Sequence, residues 1–535
     1  MAQGLSKNHR QLDLAEAIAK RWHWKVNVSC DTALSQCYVE CDRNQLLELC
    51  RWLIDDMDYA LGSLIVEETN ENWLLRYVFY GEPDSEAVHL GLRLDKAEKT
   101  TVPSISPIIH AADWQEREAW DLFGLRFEGH PRLIDIVRHE AWPAEIYPMR
   151  KNFDGSQPGP HPPVERPFQP YHVVQAPGAF LMPIGPVFSD AAESALFLLE
   201  SVGEDVIRIW PRFFYKFRGV EKIAEGQAVD RVLLLAERFS GTSSFAHSLA
   251  FCQAVEAICR VDLPSRAQAL RIVFAELERF RHHVAAIAGI CNSTALAVAT
   301  SQAGILEEEA LRLSGTLTGH RYLFGLNKPG GVTLDLNDRQ CEDLSSGVQA
   351  IFLKLARLYD LLRYSSSFLD RLEEVGMVTK DQARNYGLVG PIARASGLAR
   401  DLRQVLPYAL YSEISFEVPQ EEEGDGYARL RLLFREAEQS AKILQKILSF
   451  LPPGEIAARE VALKPGAALG WAEAPRGATF HWVRLDEQGR VRRYHLTTPS
   501  FTNWHGFHFA AEDFAYQDFP IIMASFGLSN AECDR

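Results

Sequence analysis

"DGSQPGPHPPVERPFQP", Asp154 to Pro170, sets six prolines and two glycines within 17 residues. Proline locks φ and has no N–H to donate, so this stretch reads as neither helix nor central strand. It reads as a linker. A chain of 535 residues is too long for one compact core, and the linker divides it into residues 1–153 and 171–535.

Before the linker the pattern is mixed. "LDLAEAIAKRW" and "NQLLELCRWLIDDM" have helical spacing, whereas "WLLRYVFYG" and "EAVHLGLRLD" alternate like strands of a half-buried sheet. "CDTALSQCYVEC" reads as a turn and strand. Beyond the linker, long apolar-periodic runs such as "QALRIVFAELERFRHHVAAIAG", "GILEEEALRLSGTLTG" and "YARLRLLFREAEQSAKILQKILSFL" predict a bundle of long helices. The stretch from about Ala468 to Thr498 turns to strand composition around Glu487-Gln488-Gly489. The expected fold is an α+β N-terminal domain followed by a mostly α-helical bundle domain with small β elements.

The formal charge of −15 argues against a nucleic-acid partner, which needs a basic face to displace counterions. "MAQGLSKNHRQLDLAEAIAK" has no apolar core of the kind a signal peptide carries. The uncharged run Val284–Leu306 is interrupted by Gly289 and Asn292 and reads as a buried helix pair rather than a membrane span. Nine cysteines, an odd number without any C-x-x-C, point to reduced thiols, and the four between Cys30 and Cys50 do not form a zinc knuckle. No Gly-rich dinucleotide fingerprint occurs, so this chain does not read as a nicotinamide-binding one.

Two stretches carry the chemistry. "ERFSGTSSFAHS", Glu237 to Ser248, presents Ser240 and Ser243 with the spacing and setting of two metal ligands, yet neutral hydroxyls are poor ligands. "WQEREAWDLFGLRFEGHPRLIDIV", Trp114 to Val137, places Glu116, Arg117, Glu118 and Asp121 on a short helix that Gly124 ends. Nothing in it pairs a nucleophile with a base, so it reads as a salt-bridged docking edge.

"EREAWDLFG", "GHPRL" and "YPMRKNF" resemble the 30-kilodalton subunit of respiratory complex I, a scaffold. "FYKFRGVEKIAEG", "ERFSGTSSFAHS", "AELERFRHH", "GHRYLFGLNKPGGV", "EAPRGATFHWV" and "GLSNAECDR" resemble, in order, the 49-kilodalton subunit of complex I and the large subunits of membrane-bound, formate hydrogenlyase-type (group 4) [NiFe] hydrogenases. The fusion of both domains and "EAPRG" lean toward the hydrogenases.

The resemblance implies four cysteine thiolates around nickel and iron. Their positions fall on Ser240, Ser243, Ser529 and Glu532, with Cys533 one place off. It therefore implies a relic pocket without a [NiFe] centre, and no hydrogen chemistry. Related hydrogenases lose a C-terminal extension when nickel is installed; this sequence stops at Arg535, as a processed chain or one that needs no maturation would. The tyrosine and histidine that complex I offers a quinone fall on Gly241 and Ser243, and another histidine on Phe217. By the same resemblance Arg476 is the arginine above the metal, Glu221 a carboxylate near it, and His247 a remaining candidate proton donor. Each has a structural alternative: an ion pair for Arg476 and Glu221, a satisfied helix residue for His247. Arg394, Arg403, Arg435 and Glu438 are read as salt bridges of the bundle.

The resemblance further implies a peripheral subunit on the cytoplasmic side of the cell membrane. Its partners would be a small iron–sulfur subunit holding a [4Fe-4S] cluster, and antiporter-like and other membrane subunits. No cofactor would belong to this chain itself; a quinone is one possible acceptor, between Arg476 and His247. The alternatives are a complex I-like NADH or ferredoxin:quinone oxidoreductase subunit and a non-catalytic structural subunit.

Overall fold

A computed structural model describes residues 17–18, 20–22, 27–31, 34–81, 86–96, 101–139, 142–155, 174–187 and 193–535. Most of the proline-rich linker and of the first expected helix lies outside these residues. The chain divides into two compact units, the first of residues 1–169 with 385–387 and 404–406, the second of the remainder.

The first unit is built on a five-stranded sheet of β1 (Asn27–Asp31), β2 (Gln36–Glu40), β3 (Ala60–Glu68), β4 (Asn72–Tyr80) and β5 (Ala87–Asp95). Their order is β1-β2-β5-β4-β3, with β2 and β5 parallel and the other pairs antiparallel. Helix α1 (Arg43–Arg51) opens with a reciprocal Asp42/Gln45 capping box, and α2 (Ala112–Phe123) closes on Gly124 at φ 77°. The half-buried sheet expected from alternation is found only in part. β3 is buried at every position but its last, and β5 through Leu92, so both faces are covered there.

The charged run on α2 is an interior anchor rather than a docking edge. Glu116 and Asp121 are wholly buried. Asp121 accepts from the backbone N–H groups of Ile136, Val137 and Arg138 and pairs with the Arg138 guanidinium. Glu116 accepts from Ile105 N at 2.8 Å and Ser106 Oγ at 2.9 Å. Cys30 faces Cys37 across β1–β2, and Glu86 lies within 4.8 Å of both. Burial raises both thiols, so they stay protonated near neutral pH and offer no thiolates there.

The second unit packs long helices: α3 (Val229–Arg238), α4 (Ser244–Cys259), α5 (Ser265–Ser293), α6 (Ala297–Thr318), α7 (Asp338–Leu362) and α8 (Gly426–Ser449). Central α5 packs against α4, α6 and α8 and is buried almost all round. α7 starts at a capping box between Asn337 and Gln340, both bonds 3.0 Å. The run Val284–Leu306 is the expected helix pair, but Gly289 and Asn292 do not interrupt it. Both continue α5, and the break falls at Thr294–Leu296, where Ala295 takes φ 58°. Among the described residues no helix is long and apolar enough to cross a membrane.

A three-stranded antiparallel sheet, β6 (Gly466–Ala474), β7 (Gly477–Leu485) and β8 (Val491–Thr497), packs against α4. Gly470 makes this approach possible, because a Cβ there would collide with the Ala250 carbonyl. Phe251, Val255, Val483, Tyr494 and Leu496 fill the core between them. Arg394 meets Glu436 at 2.6 Å and Glu473 at 2.8 Å, while Arg403 meets Glu276 at 2.9 Å and Asp401 at 2.7 Å. At the surface Arg435 pairs with Glu421 at 2.8 Å and Glu438 with Lys442 at 2.6 Å. These are the salt bridges expected, although Glu473 comes from β6 rather than from a helix.

Candidate functional site

Ser240 precedes, and Ser243 ends, a single tight turn, Gly241–Ser243, between α3 and α4. Both are buried. The chain ends in a five-residue helix, α9 (Asn530–Asp534), that Ser529 caps by accepting from Glu532 N at 3.1 Å. Glu532, in its first turn, projects onto the first turn of α4, where its Oε1 lies 3.0 Å from His247 Nε2. Two stretches 285 residues apart thus meet, as the four-ligand spacing implies.

Arg476, in the β6–β7 turn, ties the remaining parts together. Its Nη1 donates to Thr242 Oγ1 at 2.8 Å and Ser243 Oγ at 3.3 Å, and its Nε to the Gly527 carbonyl at 2.7 Å. Gly390, at φ 66°, lets a second backbone segment press against the Arg476 carbonyl, where any Cβ would collide.

Of the four former-ligand positions, three are committed to protein partners. Ser243 accepts from Arg476. Ser529 donates to the Glu193 carboxylate, 2.9 and 3.1 Å from its two oxygens. Glu532 accepts from Ser500 Oγ as well as sharing a proton with His247. Burial pushes the Glu532 carboxyl up, but the His247 hydrogen bond and the Arg476 charge outweigh it and hold it below its usual range. Ser240 Oγ alone is buried with no partner among the described residues. A buried hydroxyl without a partner costs about 1–3 kcal/mol. Ser240→Ala is therefore expected to leave stability unchanged or raise it by about 1 kcal/mol, whereas Ser529→Ala, losing a cap and a carboxylate partner, costs about 1–2 kcal/mol in chemical denaturation.

Both ring nitrogens of His247 have partners. Nδ1 lies 3.1 Å from His481 Nε2 and 3.3 Å from Thr479 Oγ1. His481 in turn meets the Tyr494 hydroxyl at 2.8 Å. Ser500, Glu532, His247, His481 and Tyr494 form one buried hydrogen-bonded chain. Burial, reinforced by the neighbouring histidines, pushes His481 well below its ordinary value, so it is neutral.

Glu221 belongs to a neighbouring cluster. It accepts from Arg493 Nη1 at 2.9 Å and Leu496 N at 3.2 Å, with His495 Nδ1 at 3.2 Å and Arg535 Nε at 3.4 Å. Burial opposes its charge, but His495, Arg493 and Arg535 prevail and hold the carboxyl far below its usual range. It makes no hydrogen bond or ion pair with Arg476, His247, Ser240, Ser243, Ser529 or Glu532.

A cavity of about 720 Å³ opens beside this pocket, lined by Thr242, Arg281, His282 and Arg476 among others. His247 does not line it and is wholly buried. Sequence reasoning missed Arg281, His282, His481 and Glu193. His481 was within reach, lying on the strand "TFHWV"; Glu193 lies 336 residues from Ser529 with no motif around it.

Residues 39–159 match the family described as respiratory-chain NADH dehydrogenase, 30 Kd subunit, and residues 303–465 and 456–535 match its 49 Kd subunit. Formate hydrogenlyase subunit 5 of Escherichia coli (strain K12) is 31% identical over 444 residues, which cover 82% of this chain and 78% of that protein. The chain belongs to the formate hydrogenlyase subunit 5 family. Hydrogenase-4 component G of the same organism is 27% identical, covering 84% of this chain and 81% of the relative. The C/D subunit of NADH-quinone oxidoreductase from Bdellovibrio bacteriovorus is 28% identical, covering 86% of this chain and 87% of the relative. Members of the formate hydrogenlyase subunit 5 family are subunits of respiratory complexes, and the 30 Kd and 49 Kd parts occur fused here as expected. Arg476, Ser529 and Glu532 lie within the 49 Kd match, whereas Ser240 and Ser243 precede it.

Proposed function

We propose that this chain is the large, cytoplasm-facing, peripheral subunit of a membrane-bound hydrogenase-related respiratory complex, taking part in electron transfer coupled to ion translocation without a [NiFe] centre. The observation that carries the reading is the Glu532–His247 contact at 3.0 Å. It fills one former thiolate position with a carboxylate whose proton acceptance is spent on the protein.

The other donors support the same reading. Nickel and low-valent iron bind soft thiolates that bridge them, whereas serine hydroxyls stay protonated and bind weakly. Three hydroxyls and one carboxylate, two of them tied to Arg476 and Glu193, do not fit a four-thiolate bimetallic centre. No step is therefore routed through such a centre. The chain's own residues hold the pocket shut: Arg476 bridges the Thr242 loop to Gly527, and the Glu532–His247–His481–Tyr494 chain fixes α9 against α4 and β7.

In this proposal the electrons come from a [4Fe-4S] cluster in a small iron–sulfur subunit beside the pocket, and antiporter-like subunits carry the ions. Two relatives named as formate hydrogenlyase and hydrogenase-4 components support a hydrogenase-type assembly. The test is hydrogen turnover. The complex purified with its partner subunits is expected neither to evolve hydrogen from reduced viologen nor to consume it with oxidised viologen. Hydrogen turnover that co-purifies with this chain would overturn the proposal.

A further inference from the structure

The cavity beside Arg476 has two unlike ends. Arg281, His282 and Arg476 line it together with Glu307, and Ile184, Phe519, Met523 and Leu528 give it an apolar wall. Arg281 is only 2% exposed. Its Nη2 donates to the Thr242 carbonyl at 2.7 Å, its guanidinium lies 4.8 Å from the Tyr322 ring centre, and its Nε has no partner among the described residues. Arg476 donates to a carbonyl and two hydroxyls. Among the described residues, neither guanidinium has a carboxylate at ion-pair distance. The buried arginines Arg271, Arg394 and Arg403, by contrast, each meet one directly.

His282 completes the polar end. It is 7% exposed and its Nδ1 is buried without a partner among the described residues. Burial, with Arg476 next, pushes it well below its ordinary value, so the ring is a neutral hydrogen-bonding group. Glu278 and Glu307 act on Arg281, and Glu532 on Arg476, from beyond ion-pair distance, which leaves the guanidiniums able to hold an entering anion directly. A guanidinium fork matches the planar oxygens of a carboxylate, and the apolar wall suits a short carbon chain.

We propose that this cavity binds a small organic carboxylate, its head held by Arg281, Arg476 and His282 and its carbon chain lying along Phe519 and Met523. The inference rests on the reading above, in which the neighbouring pocket holds no bimetallic centre, and it names the class of ligand that the adjoining cavity takes.

The test is calorimetric titration of the full-length chain with hexanoate and with hexanamide, which has nearly the same shape and no charge. Hexanoate is expected to bind at least about tenfold more tightly than hexanamide. Arg281→Gln is expected to remove most of that advantage, and Arg281→Lys to retain part of it. An unchanged thermal unfolding midpoint of the unliganded variants shows that their fold is intact. Equal affinities for the two ligands, binding of neither, or a hexanoate affinity untouched by Arg281→Gln would each overturn the site. Those results leave the hydrogen-turnover reading standing, and hydrogen turnover would overturn that reading without altering the affinity contrast.

Discussion

Glu532→Ala is expected to destabilise the second unit by about 3–5 kcal/mol, read by urea unfolding. The carboxylate is fully buried, shares a proton with His247 Nε2 at 3.0 Å and accepts from Ser500. Truncation leaves a buried imidazole and a buried hydroxyl without their acceptor and opens a hole between α9 and α4. Glu532→Gln keeps the volume and one acceptor oxygen, so its cost is smaller, about 1–3 kcal/mol. The two variants also differ from the wild type in pH dependence. Because the folded-state Glu532 carboxyl sits below its unfolded value, its contribution is complete above about pH 4.5 and is lost as pH falls through the folded value. The gap between wild type and Glu532→Gln should therefore be widest near neutrality and narrow in acid. A gap that widened in acid would contradict the assigned carboxylate.

Arg403→Ala is expected to cost a similar amount, about 3–5 kcal/mol, for the same physical reason in a different place. Arg403 is 1% exposed and joins Glu276 on α5 to Asp401, with Gln439 on α8 at 2.7 Å. Burial would raise Asp401, but the Arg403 charge outweighs it and keeps the carboxyl ionised. Removing the cation leaves two buried carboxylates facing each other's field, with Arg279 and Arg394 only partly compensating at 3.5 Å. Arg403→Lys keeps the charge but not the fork that reaches Glu276, Asp401 and Gln439 together, so it should fall between wild type and alanine. Unfolding curves of both variants at pH 7 check this. An alanine variant as stable as the wild type would show that the network is dispensable to the fold.

Much of the fold was legible because its signals are local. The long periodic runs fixed α5 to α8, and the turn at Glu487–Gly489 fixed the β7–β8 hairpin. What local periodicity cannot report is burial from outside an element. β5 reads as half-exposed yet is covered on both faces through Leu92, and the charged residues of α2 face inward because Asp121 caps three backbone N–H groups at 136–138.

The site was legible to the extent that a motif marks it. Ser240, Ser243, Ser529 and Glu532 fell at ligand positions, and His247 and Arg476 stood in recognisable frames. The sequence could not say what occupies those positions once the thiolates are gone. The answer is several separate arrangements: Glu532 with His247, Ser529 with Glu193, Ser243 with Arg476, and Ser240 with no partner among the described residues. Glu221, taken with the site by resemblance, is instead held by Arg493 and Arg535.

Metal analysis of the complex purified with its partner subunits tests the central claim most directly. The oxygen-donor pocket closed by Glu532–His247 and Arg476–Ser243 predicts iron from the iron–sulfur partner and no stoichiometric nickel. One nickel per chain, retained through purification and lost in a Glu532→Ala variant, would contradict it.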